Sequence, residues 1–167
     1  MTRQLTGRAG AMDDATLDET VEMVLLASRA LVGVAARSLA QTESEITLRQ
    51  YRALVLLASR GEHNVSSLAE ALDIHPSTAT RLCDRLLAKG LSARSTSAES
   101  RREVTVGLSA AGKGLVRAVT ARRRKELRRI VGGLDAATQR QLVEAFATFA
   151  SAAGEVPDQA WKLGWTT

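Results

Sequence analysis

The sequence predicts a mainly α-helical protein with one small β-hairpin, and three observations carry that reading. Ala and Leu supply most of the apolar content, aromatic residues make up 3% of the chain and proline occurs twice, a composition that favours long helices with few breakers. Apolar residues recur at spacings of three and four over most of the length. At Val104, Val106 and Leu108 the period falls to two, as a half-buried strand requires.

At 167 residues the chain fits one domain with a sizeable core. Residues 1–12 contain Gly, Arg and Thr without periodicity, so a mobile arm is expected there. The first helix is then predicted over about 14–40, starting at Asp13 or Asp14. Leu17, Val21, Val24, Leu25, Leu31, Val32, Ala35 and Leu39 form its stripe, and Asp18, Glu19 and Glu22 sit favourably near its N-terminus. Thr47 is a suitable N-cap for a second helix, with Tyr51, Leu54, Val55 and Ala58 along one face and an end near Gly61. Ser67 and Glu70 have capping-box spacing ahead of a short run, LAEAL. Pro76 suits the first position of the next helix, which Gly90 closes. Leu91–Ser97 can pair antiparallel with the Val104–Leu108 strand across a polar, basic tip. Ser109 caps a helix that Gly132-Gly133 ends, and Asp135 caps the last one, which carries Leu142, Val143, Phe146, Phe149 and Ala150. The tail 154–167 holds both tryptophans and has no clear pattern.

Val65 to Ala88 meets the requirements of a helix-turn-helix. Leu68, Leu72, Ile74, Ala79 and Leu82 fall where two short helices must pack, with small Ala69 at their closest approach and the turn at Asp73-Ile74-His75. Asp tolerates a left-handed backbone better than most residues, so Asp73 can serve the turn with some strain. If Ala79, Leu82, Cys83 and Leu86 face inward, the second helix turns Ser77, Thr78, Arg81, Asp84 and Arg85 outward. Small hydroxyls at the front and arginines behind suit a helix that enters a DNA major groove, where Arg can grip guanine or phosphate. The bland alternative is an ordinary solvated face. Behind this helix comes the hairpin, with Arg94 on its first strand and Arg101 and Arg102 at its tip, placed to reach a minor groove or phosphates. The module is thus a winged helix-turn-helix over about 47–109, with dimerisation helices over about 14–40 and 110–153.

Charge agrees with an anionic partner. The net charge is +5, and between His75 and Arg129 there are 14 Lys/Arg against 4 Asp/Glu, while the rest of the chain is net acidic. The run TARRRKELRR spreads arginines around more than half of a helix. A solvated or salt-bridged face, paired with a partner's acidic first helix, is the favoured reading, and a supporting phosphate contact the alternative.

Three segments taken in order, ITLRQYRALVLLA, VSSLAEALDIHPSTATRLCDRLLAKGLSAR and SRREVTVGLSAAG, resemble the MarR family of bacterial regulators over about residues 17–153. The resemblance implies a homodimer with interlocked first and last helices, each winged module on one half of a palindromic operator, and loss of affinity when a small organic ligand or an oxidant acts. It places Ser77, Thr78, Thr80 and Arg81 on the recognition helix and Arg102 at the wing arginine. Three positions depart from the family pattern. Ser100 stands where the wing usually has Asp, His75 replaces the common Ser/Thr N-cap, and Asp73 replaces a frequent glycine.

The expectation is therefore a dimeric DNA-binding repressor or regulator with double-stranded DNA as partner, a possible small organic effector in a cleft between the dimer helices and the winged module, and no cofactor. DNA contacts are expected from Ser77, Thr78, Thr80, Arg81, Arg85, Arg94, Arg101 and Arg102. The rival is a winged module used only for protein contact or dimerisation. With one cysteine a disulfide framework is excluded, and Cys83, on the inward face, reads as inert packing rather than a redox switch. His63 and His75 are the only histidines and no metal-ligand spacing occurs. No Ser/His/Asp set, phosphate loop or carboxylate pair supports enzymatic activity. The N-terminus lacks a secretory h-region and no run approaches ~18 uninterrupted apolar residues, so a cytoplasmic location and no membrane association are expected.

Overall fold

A computed structural model describes residues 5–42, 44–96 and 104–155, with backbone alone for 5–13 and 96. Among the described residues the order is α1 (Leu5–Ala40), α2 (Leu48–Arg60), α3 (Val65–Ala71), α4 (Pro76–Ala88), β1 (Ser92–Thr96), β2 (Val104–Leu108), α5 (Ala110–Val131) and α6 (Ala136–Ala152). Helices with one antiparallel hairpin are what the composition and the periods predict.

The caps explain where most helices start. Thr47 and Gln50 form a reciprocal capping box at α2, the Gln50 N–H donating to Thr47 Oγ1 and the Thr47 N–H to Gln50 Oε1. Ser109 Oγ accepts from the Gly112 N–H at α5, and the Asp135 carboxylate accepts from the Ala137 and Thr138 N–H groups at α6. Two starts differ from expectation. α1 begins at Leu5, ahead of the Asp13–Asp14 start, so residues 5–12 continue the helix rather than precede it. The cap of α3 is Asn64, whose side chain accepts from the Ser67 N–H, and not Ser67. Ser67 is the third residue inside the helix, so the capping-box spacing with Glu70 lies one turn too late.

Packing centres on α2. Tyr51, Ala53, Leu54 and Ala58 join Leu39 of α1, Leu82 and Leu86 of α4, Leu91, and Val116 and Val119 of α5 in one cluster. Leu56 and Leu57 join Leu68 of α3, Cys83 of α4 and Val106 of β2 in a second. Burying a side chain of this size contributes about 1.5–3 kcal/mol, so the winged module is held from both sides of one central helix.

β1 pairs with β2 in the register Ser92↔Leu108 to Thr96↔Val104. His63 adds a rung on the far side of β2: its N–H donates to the Val106 carbonyl at 3.1 Å and the Val106 N–H donates back at 2.8 Å. Val106 is fully buried, whereas Val104, expected on the same inward face, is 53% exposed. On this face of β2 the buried core ends at Val106.

The outer layer is different. No residue of α6 is buried, and Leu17, Val21, Met23, Val24, Leu25 and Leu26 of α1 are all exposed, as are Val143, Phe146 and Phe149 of α6. Only the C-terminal end of α1 enters the core, through Val34, Ala35 and Leu39. There Arg37 pairs with Glu126 of α5, and the Arg122 guanidinium donates to the Ser38 carbonyl at 3.4 Å. Part of the arginine-rich run is thus engaged with α1 of its own chain. Within the Asp14–Ala40 portion of α1 an 18-residue window reaches a mean hydropathy of 1.5, long and apolar enough by length and composition to cross a membrane; Arg29 and Arg37 interrupt its apolar residues, so it holds no unbroken apolar run.

Candidate nucleic-acid interface

The turn between α3 and α4 is a Schellman motif. The Asp73 N–H donates to the Glu70 carbonyl and the Ile74 N–H to the Ala69 carbonyl, both at 3.0 Å, while Asp73 takes φ 51°. A left-handed non-glycine residue costs free energy, and Asp reduces that cost by its short polar side chain. His75 then caps α4 through its imidazole: Nδ1 accepts from the Ser77 N–H at 3.3 Å and lies 2.9 Å from Ser77 Oγ. Pro76 follows at the first helical position, where its missing N–H removes no bond. The imidazole therefore performs the capping task that Ser or Thr performs more commonly.

Inward from α4, Ala79, Leu82, Cys83 and Leu86 are buried, Cys83 in one cluster with Leu68 of α3 and Leu56 and Leu57 of α2, and Leu82 and Leu86 in another with Tyr51 and Leu54 of α2. Outward, Ser77, Thr80, Arg81, Asp84 and Arg85 are exposed, and Thr78 is half-buried at the edge. Spacings of three and four put Ser77, Arg81, Asp84 and Arg85 on one side. Two of these side chains are oriented by the helix itself: Thr80 Oγ1 donates to the Pro76 carbonyl at 3.1 Å, and Arg81 Nε donates to the Ser77 carbonyl at 3.2 Å. Burial pushes the Cys83 thiol up, and the nearby Asp84 carboxylate adds to this against a smaller opposing effect of Arg94. A thiol held protonated in a packed interface lacks the thiolate that redox sensing needs.

The hairpin begins beside this helix. Arg94 of β1 makes an ion pair with Asp84 of α4 at 2.7 Å, with both side chains about half exposed. Arg94 is thereby engaged within the protein, and Asp84, an acidic group on an otherwise polar and basic face, is neutralised. The spacing of ten residues between them crosses a helix end and a turn, so no periodic pattern signals the pair. Arg101 and Arg102 lie outside the described residues, as does Ser100.

A second feature adjoins the turn. A cavity of about 620 Å³ opens between the ends of α1 and α2, the turn and α5, bounded by Ala35, Tyr51, Val55, Leu72, Asp73 and Ile74, with Arg49, Arg52 and Arg123 as its cations. Arg123 Nε is buried without a hydrogen-bond partner among the described residues, and Arg52 is paired with Glu155 at 2.6 Å. A buried donor left unpaired is costly, so this atom favours any acceptor that enters. A second hollow, about 350 Å³, runs between α1 and α6 and is almost wholly apolar, with Met23, Val24, Leu31, Phe146 and Phe149 in its walls.

Comparison with known proteins agrees with this arrangement. The family model described as MarR family matches residues 46–104. The crystal structure of RV1404 from Mycobacterium tuberculosis is 39% identical, with a TM-score of 0.79 over 84% of this chain and 96% of that one. A MarR family protein from Bacillus stearothermophilus, 20% identical, superposes with a TM-score of 0.75 over 85% and 98% of the two chains. A MepR mutant from S. aureus bound to an oligodeoxyribonucleotide, 23% identical, gives a TM-score of 0.59 over 80% and 97%; at that identity the likeness concerns the fold. No curated protein sequence matches the chain.

Proposed function

Because this chain belongs to the MarR family, whose members are transcription regulators rather than enzymes, we propose that it is a dimeric repressor that reads both halves of a palindromic operator and releases it when a small organic ligand binds. The observation that carries this reading is the free outer face of α4: Ser77, Thr80, Arg81 and Arg85 are exposed while the opposite face is wholly buried. Short hydroxyl side chains allow close approach to base edges, and Arg81 and Arg85 supply bidentate donors. Thr78 lies at the rim of that face, and Arg101 and Arg102 are proposed to reach the flanking backbone or minor groove. Arg94 serves the reading only indirectly, through Asp84.

Dimerisation is supported by the apolar surface that α1 and α6 leave uncovered. A second copy placed there doubles the half-site contacts and sets two recognition helices about one DNA turn, ~34 Å, apart. The effector is proposed to occupy the cavity beside the turn. Its three arginines favour an organic anion, with Arg123 Nε as the unsatisfied donor. Ligand contacts to Leu72 and Ile74 at the turn and to α5 at once would favour one spacing of the reading heads over another, which is the differential affinity that release requires.

Fluorescence anisotropy against duplexes from the chain's own upstream region, at several salt concentrations, tests the proposal. Arg102→Ala is expected to weaken all duplexes alike and to flatten the salt dependence by about one phosphate contact, whereas Arg81→Ala changes the preference among sequences. Binding that neither prefers a palindrome nor weakens with salt would favour a winged module used for protein contact.

A further inference from the structure

Glu62 sits in the connection between α2 and α3 and is not among the residues assigned to DNA. The rung between His63 and Val106 places Glu62 opposite Gly107 of β2. A Cβ at position 107 would lie 2.8 Å from Glu62 Cγ, so the glycine leaves a trough along which the glutamate side chain crosses the strand. Its Oε2 then accepts from Thr105 Oγ1 at 2.8 Å and from Ser95 Oγ at 2.5 Å. Ser95 and Thr105 are directly paired across the hairpin, and their own hydroxyls lie 2.8 Å apart. One carboxylate oxygen therefore grips both strands at once, one residue before the last pair of the ladder.

We infer that Glu62 is a positioning residue for the wing: it fixes the angle at which the hairpin leaves the module, and through that angle the reach of the wing arginines, so the inference rests on the DNA-binding reading above. The opposite face of β1 has its own tie. Successive strand residues point to opposite sides, and Arg94, the neighbour of Ser95, is held by Asp84 of the recognition helix. The hairpin is gripped by a carboxylate from each side, one on the reading helix and one on the connection behind it. Glu62 is exposed, so its bonds compete with water and contribute to geometry more than to global stability. A carboxylate suits the position because it only accepts, and both hydroxyls can donate to it.

The experiment uses the full chain with Glu62→Ala and Glu62→Gln, each alone and combined with Arg102→Ala or Arg81→Ala, titrated against the preferred duplex. Glu62→Ala is expected to weaken binding about three- to tenfold with an unchanged melting temperature, and Glu62→Gln, which keeps an acceptor oxygen, to recover most of the loss. In the Arg102→Ala background Glu62→Ala should cost nothing more, while in the Arg81→Ala background its full effect should persist. Full additivity with Arg102→Ala, or a loss of binding matched by a loss of melting temperature, overturns the inference. Amide hydrogen exchange separates it from the DNA-binding reading. If Arg102→Ala has no effect on DNA, that reading fails at the wing, yet faster exchange at residues 92–96 and 104–108 in Glu62→Ala still upholds the anchoring role. Unchanged exchange there overturns it whatever the DNA result.

Discussion

The winged module and the terminal helices solve the burial problem in opposite ways. In the module, α2 is enclosed on both sides, with Leu54 fully buried, and each helix start has a side-chain cap. In the outer layer no residue of α6 is fully buried, and Phe146 and Phe149 are 45% and 52% exposed. The first region completes its core within one chain. The second presents an apolar surface of a kind soluble monomers rarely keep, and such a surface marks an interaction site. Damage to the module is therefore expected to show as lost stability, and damage to the outer layer as lost association.

The sharpest break would come from Leu54→Ala. It should cost about 2–5 kcal/mol of stability through the cavity left in the core, read as a fall in denaturation midpoint; a dimer that dissociates before it melts would blur the distinction between the regions. Next comes Phe146→Asp, which places a charge in the apolar groove. We expect about 2–4 kcal/mol of lost association free energy, typical of a buried aromatic anchor, seen by analytical ultracentrifugation as monomer with helical content kept. An unchanged dimer would mean that some other face carries the contact. Removing a cap is smaller: Asn64→Ala should cost about 1 kcal/mol, and because α3 supports the reading helix, the amides of residues 65–72 should exchange faster.

The smallest effect concerns pH. The Asp135 carboxyl is held below its ordinary value of 3.8, first by the Thr138 N–H and then by the Thr138 hydroxyl, and Glu62 is held below 4.5 by Ser95 and Thr105. A carboxylate with a depressed folded-state value stabilises the fold above its unfolded value, and that contribution disappears as pH falls through the folded one. Both contributions are complete at neutral pH and fade only below about 4. Asp135→Asn should therefore flatten the acid limb of α6 helicity measured by circular dichroism while leaving neutral pH nearly unchanged.

Legibility in the sequence followed the range of each interaction. The starts at Thr47, Pro76, Ser109 and Asp135, the buried face of α4 and the strained turn at Asp73 rest on residues within one helical turn of each other, and each could be read directly. The cap of α3 is ambiguous in the sequence because Asn64 and Ser67 are both good caps and the helix is seven residues long, too short for a periodic pattern to decide between them. What escaped altogether is long-range: Asp84 with Arg94, Glu62 with Ser95 and Thr105, and Arg123 beside the turn. Each joins residues on separate elements, and a period within one segment carries no information about them. The arginine run was legible as charge but not as a tie between α5 and α1 of the same chain.

α1 is one uninterrupted helix of 36 residues, ~54 Å long at ~1.5 Å per residue. Its residues 14–26 are exposed and its rear is clamped to α5 at Arg37 and Ser38, a turn or less from Ala35 at the rim of the arginine-lined cavity. Such a rod acts as a lever: a swing of about 5° at the clamp moves the far end by about 5 Å over that length. A small shift beside Ala35, close to the pivot, therefore becomes a large displacement at the other end.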